Sequence, residues 1–212
     1  MLKIYDDLYQ HSLYREEVNI SDHQYFLDCS QHTLIHAGSH DAALDMLPGL
    51  EKLLGKRELS YVFISHLGAD ECGGLGLILE KYPRVRIICS SHTARELRGF
   101  GVTATIMIAR PGERLSGDDF EYHIIEYPAE AHLQSGILLY EERRALFFSS
   151  DLMMRSGDGT GEVLASEWRD EVRATGIRQI PNSHLLRALR HDLNQLSPRF
   201  VAVGHGYCLR LK

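Results

Sequence analysis

The sequence predicts a mixed α/β fold in which two sheets pack face to face with helices outside. Two observations carry this expectation. In the first half, strand-like runs alternate with helical ones, as where "SYVFIS" leads through a glycine-opened helical stretch to "VRIICS". In the second half several strands precede two helical stretches, so the order is mixed rather than that of a single parallel sheet. A length of 212 residues is ordinary for one α/β domain, so a single domain over residues 1–212 is expected.

The elements follow in order. "QYFLDCS" and "HTLIHAG", residues 24–30 and 32–38, are short apolar runs parted by a turn and read as a hairpin. "HDAALDMLPGLEKLLG" has helical periodicity, with Leu44, Leu47, Leu50 and Leu54 on one face and Pro48 as a kink or break. "SYVFIS" is a strand of the buried kind, 72–82 a helix opened by glycines, and "VRIICS" the next strand. From 103 to 150 strands succeed one another: "TATIMI", "FEYHIIEYP" and "GILLYEERRALFFSSD", the last a hairpin with a charged tip at 141–144. Residues 166–178 and 184–196 return to helix, the second with Leu185, Leu186, Leu189 and Leu193 in one stripe, before a last strand in "RFVAVGHG".

Composition narrows the function classes. With 23 Lys+Arg against 29 Asp+Glu the net charge is −6, which argues against nucleic acid as a partner. Cys29, Cys72, Cys89 and Cys208 are scattered without a CxxC pair, as expected of a reducing, cytoplasmic setting. No apolar run reaches the roughly 18 residues of a membrane span, and "MLKIYDDLYQ" lacks a signal-type core.

The polar residues fall in a pattern. His66 and Asp70 follow the strand at 61–65, His132 lies between two predicted strands, Asp151 ends "LFFSS" and His205 ends "FVAV". Each stands just past a strand end, where α/β folds gather their sites. An aspartate there is often only a helix cap and paired glycines a tight turn, but five such placements in one order point to a metal site. Imidazole and carboxylate suit divalent cations, and a bridging carboxylate holds two of them about 3.5–4 Å apart.

The order "ISHLGADECGG", "AH" at 131–132, "LFFSSD" and "VGHG", with "LIHAG" earlier, resembles the metallo-β-lactamase superfamily, whose usual first motif is H-x-H-x-D-H-x-G-G. The resemblance implies a four-layer αββα sandwich with a two-metal site in the cleft between the sheets. It assigns His66 and His132 to the first metal, Asp70 and His205 to the second, and Asp151 to the bridge, with Asp70 also the candidate catalytic residue. Two positions depart from the pattern: Gly68 stands where the second histidine belongs, and Glu71 where the histidine after the aspartate belongs. Gly68 is therefore expected to leave an open position at the first metal that a glutamate would fill, and Glu71 is placed with the second metal.

Carboxylate in place of imidazole shifts preference from zinc towards iron or manganese. It resembles the flavodiiron and oxygen-binding di-iron branch, as does "FFSSD". The implied cofactors are two divalent ions, iron preferred and zinc or manganese as alternatives, with no flavin domain in this chain. The implied partners are dioxygen or a small-molecule substrate and a separate electron donor or signalling partner, without a membrane; a homodimer is left open. The competing readings are a dinuclear hydrolase of an ester, thioester or phosphodiester, and a degenerate metal-poor scaffold that Gly68 would support. The loop 155–168 is the candidate lid. His36 and His40 could supply a substitute donor near the expected cleft or stand behind it, and Cys72 and Cys208 could approach the metals or only pack, while His11, His23, His32, His92, His123, His184 and His191 carry no motif.

Overall fold

Alternation along the short central strands decides the layers. Leu34, Val62 and Ile87 face one way into an outer apolar cluster, while their neighbours Ile35, Phe63 and Ile88 face the other way into an inner one. Both faces are thus apolar, as expected of strands covered on both sides.

The computed structural model describes residues 1–128 and 136–212. The first sheet takes its seven strands in chain order: β1 (Leu2–Tyr5), β2 (Leu8–Arg15), β3 (Ile20–Leu27), β4 (Thr33–Ile35), β5 (Tyr61–Phe63), β6 (Arg86–Cys89) and β7 (Ile106–Ile108). Pairing is antiparallel up to β4 and parallel from there on. The parallel crossovers carry α1 (His40–Leu54), α2 (Ala69–Cys72) with α3 (Leu75–Lys81), and α4 (Ser91–Gly99). Met46, Leu50 and Leu54 of α1, Ile78 of α3 and Leu97 of α4 close the outer cluster.

The second sheet contains β8 (Arg114–Ser116), β9 (Glu121–Tyr127), β10 (Gly136–Glu141), β11 (Leu146–Ser150), β12 (Val163–Ser166), β13 (Phe200–Val203) and β14 (Cys208–Leu211), in the order β12-β14-β13-β11-β10-β9-β8. The helices α5 (Trp168–Ala174) and α6 (Ser183–Leu193) pack on it through Val172, Leu186, Leu189 and Leu193. The result is the expected sandwich: helices, two sheets, helices.

Three register features position the strand ends. Ser150 of β11 pairs in parallel with Val203 of β13, so Asp151 and His205 leave the second sheet side by side. Ile35 pairs with Phe63, which brings the segments after β4 and β5 out together. The sheets are then stitched at this end by backbone hydrogen bonds from His23 N to Gly204 O (2.9 Å) and from Ile137 N to Ser65 O (2.8 Å).

Several elements differ from the sequence expectation for local reasons. On α1 the buried face is Ala42, Ala43, Met46, Leu50 and Leu54, while Leu44 is 52% exposed. Pro48 lies inside α1 without ending it; the residue is exposed, and so is Leu44, whose carbonyl loses its helical partner. The helix expected over 72–82 breaks at Gly73 and Gly74 into α2 and α3. The strand in "TATIMI" shortens to β7 and completes the first sheet. The loop 155–168, expected as a lid, instead contributes β12 to the edge of the second sheet, and Gly157 N bonds to Asn19 O.

Gly74 is dictated by close approach. A Cβ there would overlap Ala43 Cβ on α1 and lie 2.8 Å from Ala37 O. Gly74→Ala is expected to destabilise the fold by about 1–3 kcal/mol, the usual cost of overpacking. Chemical denaturation at equilibrium checks this, with Gly76→Ala, where a Cβ meets nothing within 4 Å, as the control.

Candidate metal centre

The chain leaves β5 as Ile64, Ser65 and His66 and turns into α2, with Gly68 as N-cap in extended conformation (φ −130°, ψ 157°). Gly68 O accepts from Cys72 N at 3.0 Å, and Ala37 N donates to Glu71 O at 2.7 Å, which holds α2 against the segment after β4. Asp70 and Glu71 therefore occupy the first turn of a fixed helix. Successive residues on a helix point about 100° apart, so the two carboxylates diverge.

Two groups of donor atoms result. His66 Nε2 lies 3.5 Å from Glu71 Oε2 and 3.5 Å from Asp151 Oδ2. His205 Nε2 lies 3.2 Å from Asp70 Oδ2 and 3.3 Å from Asp151 Oδ1. Asp151 thus turns one oxygen to each imidazole, the disposition a bridging ligand needs. Among the described residues, the groups of three or more side chains that could hold a cation are His66, Glu71 and Asp151, and Asp22, Asp70 and His205. His132, the remaining expected ligand, lies outside the described residues.

Glu71 therefore stands with His66 and not, as expected, with Asp70 and His205. The space beside Gly68 also differs from expectation. A Cβ on residue 68 would overlap Glu71 Oε2 and lie 3.0 Å from Asp70 Oδ1, so the position is filled by a neighbouring carboxylate rather than open.

Behind the imidazoles the two halves are built differently. His205 Nδ1 is 3.1 Å from Asp22 Oδ1, and Asp22 Oδ2 accepts from Arg15 Nε at 2.5 Å. His66 Nδ1 instead meets the hydroxyls of Ser65 (3.0 Å) and Ser150 (3.3 Å), and Ser65 Oγ is 2.9 Å from His36 Nε2. His36 thus sits one hydroxyl behind His66, as an outer residue. His40 is exposed, the Cys72 thiol donates to Gly68 O, and Cys208 is buried against Tyr25 OH; none joins either donor group. Asp22 is the residue that sequence reasoning missed. Its signal is an acid in line with an apolar strand, but the strand appeared to begin only at Gln24.

Crowding of acids and imidazoles shifts their ionisation. Burial alone would lower the His205 pKa, but hydrogen bonds to Asp151, Asp22 and Asp70 outweigh it and push it up to about 12. Asp70 is held below the usual carboxylate range: burial opposes this, and hydrogen bonds with His205 and Glu71 overcome it. Glu71 goes well above its ordinary value through burial and the charges of Asp70 and Asp151. His36 falls to about 3, through burial and then the charge of His66.

The ODP family beta lactamase description matches residues 20–206, which takes in every strand end just described. The chain belongs to the ODP family beta lactamases. Relatives are distant and larger. A diflavin flavoprotein A 2 of Thermosynechococcus vestitus is 24% identical over 203 residues, covering 91% of this chain and 34% of the relative. The rubredoxin oxygen:oxidoreductase of Desulfovibrio gigas superposes with a TM-score of 0.80 at 17% identity, over 99% of this chain and 57% of that one. A metal-soaked flavodiiron core from Synechocystis gives 0.78 at 18% identity, over 96% and 54%. This chain thus spans about a third of the curated relative and little more than half of these two structures. At these identities the structures share its fold.

The residues of this ODP-family chain fit a pair of cations on one structural observation above others. Glu71 is 1% exposed and its Oε2 has no hydrogen-bond partner among the described residues, a state that costs about 1–3 kcal/mol for a neutral group and more for a charged one. Asp22→Asn keeps the shape but removes the charge behind His205. Loss of such a supporting group is expected to weaken cation binding about 10–100-fold, and a ferrous or cobalt titration of both proteins measures it.

Proposed function

We propose that this chain holds two divalent cations, iron by preference, in a centre that binds or reduces dioxygen. His66 and Glu71 serve one position, Asp70 and His205 the other, and Asp151 bridges them; His132 completes the first. The placement of Asp151 between the two imidazoles, one oxygen towards each, carries the reading. Family membership and the flavodiiron relatives support it. The donor set leans to carboxylate, with Asp70, Glu71 and Asp151 among the ligands, which favours iron or manganese over zinc. A single domain over residues 1–212 and a cytoplasmic location belong to the same reading; no helix among the described residues is long and apolar enough to cross a membrane.

When bound, the two irons would supply the electrons and the exchangeable coordination positions that dioxygen requires. The protein's part is positional. Asp22 keeps a proton on His205 Nδ1, which leaves Nε2 directed at the centre. The side chains of His66 and Glu71 are only 3% and 2% exposed, which makes the first position the less accessible of the two. Asp70 is 36% exposed, so a small molecule reaches the centre on its side, and it is the residue best placed to meet that molecule. The name of the Desulfovibrio relative couples rubredoxin to oxygen, and a separate electron donor is the corresponding proposal here.

Protein purified without added metal is expected to contain iron and to gain a near-ultraviolet or visible band on oxygenation. Zinc with turnover of esters or phosphodiesters would establish the hydrolase instead. Chelator is expected to lower the melting temperature, since a cation at about a hundred times its dissociation constant contributes about 2.7 kcal/mol. Asp151→Ala should carry less metal than any single variant of Asp70 or Glu71, because it alone serves both positions. A metal-free wild type that melts identically with and without chelator would leave only the degenerate scaffold.

A further inference from the structure

We infer that Glu71 supplies, from the helix, the donor that residue 68 lacks, so that carboxylates at 68 and 71 are alternatives for one coordination position. The inference rests on the dinuclear reading and goes beyond it by making residues 68 and 71 mutually exclusive sources of one donor.

Three independent observations converge on Glu71. Its Oε2 occupies the volume into which a side chain at 68 would have to grow, since a Cβ there overlaps that oxygen and lies 3.2 Å from Glu71 Cδ. The same oxygen is 3.5 Å from His66 Nε2, a spacing two donors to one cation can adopt, and it groups with His66 and Asp151. Among the described residues this oxygen is also buried without a hydrogen-bond partner, an arrangement that a bound cation would satisfy. The Gly68 backbone is ordinary extended chain, so no left-handed conformation calls for glycine at that site. What calls for glycine is the neighbouring carboxylate. Any larger residue at 68 would push Glu71 out of the position it fills, and with glycine the carboxylate reaches the centre across the first turn of α2.

The assignment reverses the expected effect of restoring a ligand at 68. Gly68→Glu alone places two carboxylates in one space and should bind less iron than wild type. Glu71→Gln keeps the shape and removes the charge, so it should hold one tightly bound iron per chain in place of two. Removing the obstruction while adding the donor, in Gly68→Glu/Glu71→Ala and in the shorter Gly68→Asp/Glu71→Ala, should raise the count back towards two.

The experiment is equilibrium loading with ferrous ion under anaerobic conditions, followed by elemental analysis, with cooperative melting as the check that each variant is folded. Glu71→Gln that still holds two irons with wild-type affinity would overturn the inference. So would two folded double variants that bind no more iron than Glu71→Gln, or a Gly68→Glu variant that binds more than wild type. A wild type that takes up no iron would instead sink the dinuclear reading itself, an outcome distinct from any of these.

Discussion

Asp151 is wedged between two imidazoles, and the arrangement of both sheets converges on that contact. An acid so deeply placed needs opposing charge close by, because burial alone would raise its pKa; instead it is lowered, by a hydrogen bond from His205 and by the charge of His66. His205 comes from the same sheet as Asp151 and His66 from the other, so compensation from both imidazoles is available only where the two sheets meet. The parallel pairing of Ser150 with Val203 and the bonds from His23 to Gly204 and Ile137 to Ser65 hold that meeting point. A slip of one residue in either register would turn Asp151 or His66 to the other face of its strand direction and leave its partner buried and uncompensated.

Some of the backbone strain lies at the same strand ends. His36, Ser150 and Met153 adopt φ of 63°, 49° and 62°, conformations that non-glycine residues rarely hold and that cost of order 1–3 kcal/mol each. His36 and Ser150 contact the same Ser65 hydroxyl behind His66. The strained turns therefore do a specific job: they carry the chain sharply off β4 and β11 so that an imidazole and a hydroxyl face back towards His66. Packing of Ile35, Phe63 and Phe148 around that point supplies the rigidity that keeps them there.

The sequence exposes where donors stand more readily than how they group. His66, Asp70, Asp151 and His205 are legible because each follows an apolar run, and strand ends are local features. The hairpin of β10 and β11 is legible for the same reason, from two apolar arms and a charged tip. The grouping of Glu71 with His66 depends on the start of α2, since one residue of helix rotates a side chain by about 100° and moves it from one donor group to the other. Asp22 depends on a contact with His205 across 183 positions of chain, which no local pattern reports. The four-residue strands β1 and β14 escaped because they are too short to show a period, and β2 and α4 because polar residues interrupt their apolar positions; α4 buries only Thr93, Ala94 and Leu97.

The two halves of the donor arrangement differ in what backs their imidazoles and in how exposed they are. The first half gains its carboxylate from Glu71 and backs its imidazole with neutral hydroxyls. The second half takes Asp70 and backs its imidazole with Asp22, whose own charge is balanced by Arg15. A carboxylate behind an imidazole makes the ring a stronger donor, whereas a hydroxyl does so less. Support from Asp22 thus falls on the half that is more open to solvent, where the Asp70 side chain is 36% exposed against 2% for Glu71. The buried half needs no such support, because exclusion of water strengthens each of its charged contacts. Burial therefore sets the two halves apart: His66 and Glu71 are closed off, whereas Asp70 and His205 lie on the more accessible side.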